Sequence, residues 1–207
     1  MNLQKYITAA IPFDAYKELL AGLLAEGKTT GTNHSEEMMR YAKLNWQRLT
    51  RIEKTAVLQE ELIALLQNVQ GSYTWLIITE GWCGDAAQNT PFLEKMAQVT
   101  QGKIETKYIL RDEHLELIDA YLTNGGRSIP KLICINNTTQ AVLFSWGPRP
   151  QAAQNWIAEA KAQGIDKHTI MEDIHKWYAK DKGLTLQKEW LELVQTIITN
   201  EMAVNPV

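Results

Sequence analysis

The spacing of apolar residues changes once along this chain, near residue 71. Before that point it is helical. Phe13, Tyr16, Leu19, Leu20, Leu23 and Leu24 recur at the interval of one helix face and run out at Glu26-Gly27-Lys28. Ser35, followed by Glu36 and Glu37, reads as a helix start, with a capping hydroxyl and two acids at the positive end of the dipole. Thr50-Arg51-Ile52-Glu53 has the form of a capping box, so residues 35–69 read either as two helices or as one long bent one. Leu58, Leu62, Leu65 and Val69 form a one-faced stripe that needs a surface to cover it.

From Gly71 onward short β-rich runs alternate with helical stretches. Tyr73–Thr79 carries no charge and has the composition of a strand buried on both faces. Helical spacing follows through about Thr100, then a strand at Ile104–Leu110, then a helix from about Glu113 to Leu122 broken by Asn124-Gly125-Gly126. Pro130–Ile135 and Ala141–Trp146 are two further strands, joined by a turn short enough for an antiparallel hairpin. A helix then ends near Gly164. The order is strand, helix, strand, helix, strand, strand, helix. Two more helices follow: one capped by Asp166, striped by Ile170, Ile174 and Trp177 and stopped at Gly183, and one capped by Thr185 and striped by Leu186, Trp190, Leu193 and Ile197. Both read as helices packed on the central domain.

Composition narrows the class. With 207 residues, 45% of them hydrophobic and 22% charged, collagen-like and disordered chains are excluded. The 24 acidic and 21 basic residues are interspersed and give a net charge of −3, which argues against a dedicated nucleic-acid surface. No apolar run of about 18 residues exists to cross a bilayer, and no signal peptide is visible at Met1–Tyr6, so a cytoplasmic location is expected. Two cysteines and four scattered histidines make a poor metal set. His168 and His175 share a helical face, but they read as surface histidines, and neither a metal nor a bound cofactor is expected.

Cys83 is the one residue with evident chemistry. It lies where the uncharged strand turns into a helix, and the free N–H groups and dipole there favour a thiolate. Trp82-Cys83-Gly84-Asp85-Ala86, with Pro91 eight residues beyond the cysteine, resembles the active-site turn and kinked first helix of the thioredoxin superfamily. Arg127-Ser128-Ile129-Pro130 is similar to that family's cis-proline loop, and the element order is the family's order. The resemblance is nearest to bacterial thioredoxin-like proteins with a Trp-Cys-Gly-Asp motif and extra helices at both ends. It implies a thioredoxin-like α/β fold, a central mixed four-stranded sheet in the order β-α-β-α-β-β-α. Helical extensions would occupy residues 1–71 and 164–207 and the core residues 72–163. It further implies Cys83 as the catalytic nucleophile and Pro91 as a helix bend. Trp82, Gly84, Asp85, Ala86, Ile129 and Pro130 would contact substrate, with Pro130 in cis and the Ile129 backbone beside the sulfur.

The departures from the family pattern shape the expected function. Ala86 stands where a second cysteine resolves the mixed disulfide, and Ile77 stands where the family buries an acid. Glu80 and Asp85 are the carboxylates near Cys83 in sequence and the candidates for a proton relay. Asp85 also opposes the dipole, which leaves the direction of the Cys83 pKa shift open. Cys134 lies about 13 Å along its strand from the cis-proline loop, beyond disulfide reach, and reads as a packing residue. A peroxidase of the same superfamily fits poorly, because Glu80 stands where that chemistry looks for threonine. The leading expectation is monothiol thiol–disulfide exchange on protein or glutathione mixed disulfides, resolved by an external thiol such as glutathione. The alternative is a non-catalytic module that engages a protein partner through the same groove and the flanking helices.

Overall fold

The uncharged run Tyr73–Thr79 becomes β1, an inner strand of a four-stranded sheet with all seven residues buried. The structure is a computed structural model that describes residues 1–204. Four helices precede β1: α1 (Gln4–Ala9), α2 (Phe13–Ala25), α3 (Glu36–Thr55) and α4 (Glu60–Gln67). After it come α5 (Gly84–Val99), β2 (Ile104–Leu110), α6 (Leu115–Asp119), β3 (Lys131–Asn136), β4 (Val142–Trp146), α7 (Gln151–Ala162), α8 (Lys167–Asp181) and α9 (Leu184–Val204). The strand order is β2-β1-β3-β4. β1 runs parallel to β2 and antiparallel to β3, and β3 pairs antiparallel with β4, with Trp75 opposite Cys134 and Cys134 opposite Phe144. This is the mixed sheet and element order expected from the sequence.

Alternation along the inner strands feeds two cores. Trp75, Ile77, Leu132 and Cys134 face α5 and α9, where Leu93, Met96, Trp190 and Ile197 are buried, with the stripes of α2, α3 and α4 completing the layer. Trp75 and Trp190 meet with ring centroids 4.5 Å apart. Leu76, Ile78, Ile133 and Ile135 point the other way, toward Tyr6, Leu117, Ile118 and Cys83. A third, separate cluster holds α7 to α8 through Ala153, Ile157, Ile170, Ile174 and Tyr178.

Several local expectations are corrected. The Thr50 box lies inside α3, where the hydroxyl bonds back to the Trp46 carbonyl at 2.9 Å instead of capping a helix. The region does form two helices, but the break falls at Ala56, which is extended, and the Gln59 N–H there is held by Gln187 Oε1 at 2.6 Å. α1 was not foreseen, because six residues are too few for a periodic signal. The helix expected over 113–122 shrinks to α6. Asp166 caps α8 as expected, but Thr185 lies inside α9 and its N–H is itself capped by the Asp181 carboxylate at 3.1 Å. Among the described residues no helix is long and apolar enough to cross a membrane.

Candidate active site

Cys83 is the N-cap of α5, with extended backbone (φ −80°, ψ 119°), and its own N–H donates to the Glu80 carbonyl at 3.1 Å. Its Sγ accepts a long contact from the Ala86 N–H at 3.5 Å and donates to the Ile129 carbonyl at 3.2 Å. The Ile129–Pro130 peptide is cis. Cysteine, helix N-terminus and proline loop therefore meet at one sulfur, as the motif implied. The residue is 8% exposed. Burial pushes the thiol up to about 12, the Asp85 charge adds to the rise, and the helix N–H groups and Arg149 pull the other way. The direction that sequence left open is upward, and a thiol donating to a carbonyl is consistent with it.

The other expected contacts divide into reachable and buried. Trp82 is half-buried, with the Arg111 guanidinium 4.8 Å from its ring centroid, and its carbonyl accepts from Asn45 Nδ2 at 2.7 Å. Gly84 is confined by α8, since a Cβ there would lie 2.7 Å from His175 Cε1. Ala86, Ile129 and Pro130 are buried. Pro91 lies within α5, which continues through it to Val99.

The two candidate relay carboxylates have different surroundings. Glu80 is buried at the end of β1, where Oε1 accepts the Asp112 N–H at 2.9 Å and Oε2 has no partner among the described residues, and burial raises its pKa. Asp85 is clamped between the Arg149 guanidinium and the Tyr178 hydroxyl, the latter at 2.7 Å. Neither carboxylate hydrogen-bonds Sγ, whose partners are the Ala86 N–H and the Ile129 carbonyl.

Sequence reasoning missed Arg149, Tyr178, His175, Arg48 and Asn45. Tyr178 and His175 belong to α8, and Arg48 and Asn45 to α3. The reading of His175 as a surface residue is corrected. Its Nε2 lies 3.0 Å from Arg48 Nη1, its Nδ1 is buried without a partner among the described residues, and burial, aided by Arg48, pushes its pKa down to about 4. Asn45 is buried within the helical stripe of α3, a signal that a polar residue had work there, and Arg149 stood in the Gly147-Pro148-Arg149-Pro150 turn.

Cys134 occupies the opposite face of the sheet, fully buried among the aromatic residues of the main core. Both cysteines are free thiols. Among the described residues no group of three His, Cys, Asp or Glu side chains is placed to hold a metal ion.

Two solved structures and one family model are similar to this chain. A protein of unknown function from Pseudomonas aeruginosa has a similar solved structure, with a TM-score of 0.52 and 18% identity over 86% of this chain and 95% of that one. An HIV epitope scaffold aligns at 18% identity and a TM-score of 0.47, over 84% of this chain and 99% of the other. No curated protein matches the chain. The family model described as thioredoxin matches residues 31–161, more than half of the chain, from the loop before α3 almost to the end of α7. That span contains both the Cys83 turn and the Ile129–Pro130 loop, and the chain belongs to the thioredoxin family.

Proposed function

We propose that this protein carries out thiol–disulfide exchange through one nucleophile, Cys83, in the segment 72–163, with the outer helices as its support. The observation that carries the reading is the position of Sγ. It sits at the N-terminus of α5, 3.2 Å from the Ile129 carbonyl of the loop that carries the cis Ile129–Pro130 peptide. The Cys83 thiolate attacks one sulfur of a mixed disulfide on a protein or on glutathione. A new S–S bond forms to Cys83, and the other sulfur leaves as a thiolate. With Ala86 in place of a resolving cysteine, an external thiolate then attacks the Cys83 adduct and regenerates the free thiolate. No cofactor enters this cycle. A reducing compartment such as the cytoplasm suits two free thiols.

A second reading has its own support: a thiol pushed up to about 12 is a weak nucleophile at neutral pH, which favours a binding module that uses the groove without turnover. Turnover of a glutathionylated protein with excess external thiol separates the two. In a Cys134→Ala background the exchange reading expects catalysis that Cys83→Ser abolishes. Equal rates with and without Cys83 contradict it.

A further inference from the structure

The turn after β4 is built against the proline loop. A Cβ on Gly147 (φ +111°) would lie 2.2 Å from the Pro130 carbonyl oxygen, so no other residue fits there. Lys131, next to Pro130, is buried, and its Nζ donates to Thr123 Oγ1 at 2.6 Å and to the Gly147 carbonyl at 3.1 Å. Two residues further on, this fixed turn delivers Arg149 to Asp85 in the first turn of α5. The adjoining Ala86 N–H points at the Cys83 sulfur. The pair is mostly buried, with 21% of the Arg149 side chain and 12% of the Asp85 side chain exposed. Arg149 Nε has no hydrogen-bond partner among the described residues.

We propose that Arg149 is the positioning residue of the Cys83 reaction, supplying the positive charge that supports the thiolate, and that Asp85 holds that charge in check. This rests on the exchange reading above and adds a device to it. The ordinary thioredoxin acid is absent at Ile77, and its place in tuning the sulfur is taken by an ion pair from a different loop. Other charged or titratable groups around the site are Tyr16 on α2, Glu80 at the end of β1, and the Arg48–His175 pair from α3 and α8. None of them hydrogen-bonds Sγ.

The test is the pH profile of Cys83 alkylation by iodoacetamide in the full chain, in a Cys134→Ala background. At neutral pH each unit of thiol pKa changes the thiolate fraction about tenfold, with a smaller opposing change in nucleophilicity. Asp85→Asn is expected to speed alkylation by roughly tenfold and Arg149→Met to slow it by a similar factor, and the double variant is expected to return near the parent. Arg149→Lys should restore most of the rate, because it keeps the charge. Circular dichroism and a thermal unfolding curve accompany each variant. If Arg149→Met accelerates alkylation, or Arg149→Lys and Arg149→Met behave alike, Arg149 only fastens α7 and α8 over the sulfur and the inference fails. Alkylation reports ionisation whether or not Cys83 turns over. A correct rate pattern with no catalysis would therefore sink the exchange reading and leave this one standing.

Discussion

Cys83 and Cys134 are chemically the same residue, both free, and burial pushes both thiols up to about 12. They lie on opposite faces of one sheet. Around Cys134 there is a sheet interior, with Trp75 and Phe144 as its cross-strand neighbours and Trp190 packed on Trp75. Around Cys83 there is a helix N-terminus, a carbonyl at hydrogen-bond distance, and a buried ion pair one turn away. Burial alone therefore does not separate the packing cysteine from the one proposed to react. What separates them is the polar structure aimed at the sulfur.

Substitutions that act on one side and spare the other can break this contrast. The largest expected effect is on activity: Cys83→Ser should reduce mixed-disulfide turnover by more than about 100-fold, whereas Cys134→Ala should leave it within about twofold. Stability should show the reverse preference. Trp190→Ala, on the Cys134 face, is expected to cost about 3–5 kcal/mol in urea denaturation, and Trp82→Ala, half-exposed beside Cys83, less than about 1 kcal/mol. Comparable losses from the two tryptophans would erase the distinction between core and site.

Smaller effects follow pH. The folded state holds His175 at about 4, well below its free value of 6.5. The unfolded chain therefore takes up the proton first, and stability present above pH 6.5 drains away as pH falls toward 4. His175→Gln should flatten that part of the stability profile, as read from thermal midpoints. Glu80 is raised by burial, so the folded state holds its proton more tightly than the unfolded chain. Its charge costs stability above the ordinary carboxylate range. Glu80→Gln should be at least as stable as the parent at pH 7, and the gap should close as the medium becomes acidic enough to protonate the glutamate in both states. A Glu80→Gln variant less stable than the parent at neutral pH would mean that the charge is needed to hold Asp112.

Much of this architecture was legible in the sequence. Tyr73–Thr79 lacks charge because both faces are covered, whereas Ile104–Leu110 at the sheet edge alternates buried and more open positions over its first five residues. The meeting of Cys83 with Ile129 and Pro130 was legible through the motif alone, since 46 residues separate Sγ from the carbonyl it touches. The residues that escaped notice came from elements whose packing no local pattern encodes. Tyr178 stands next to Trp177 of the α8 stripe and outside the stripe itself, yet its hydroxyl reaches Asp85, 93 positions away. His175 looked like a surface residue because nothing in its neighbourhood announces that α8 lies across the α5 N-terminus. The Thr50 box misled for a related reason: a hydroxyl inside a continuing helix satisfies itself on the preceding turn.

On the proposed function, the sulfur at the helix N-terminus is the one that exchanges disulfides. Incubation of the full chain with glutathione disulfide, followed by mass spectrometry of the intact protein and its peptides, tests it most directly. One glutathione adduct is expected, on Cys83, removed by added thiol and absent from Cys83→Ser. An adduct on Cys134, or none on a folded chain while a simple thiol reacts under the same conditions, would contradict it.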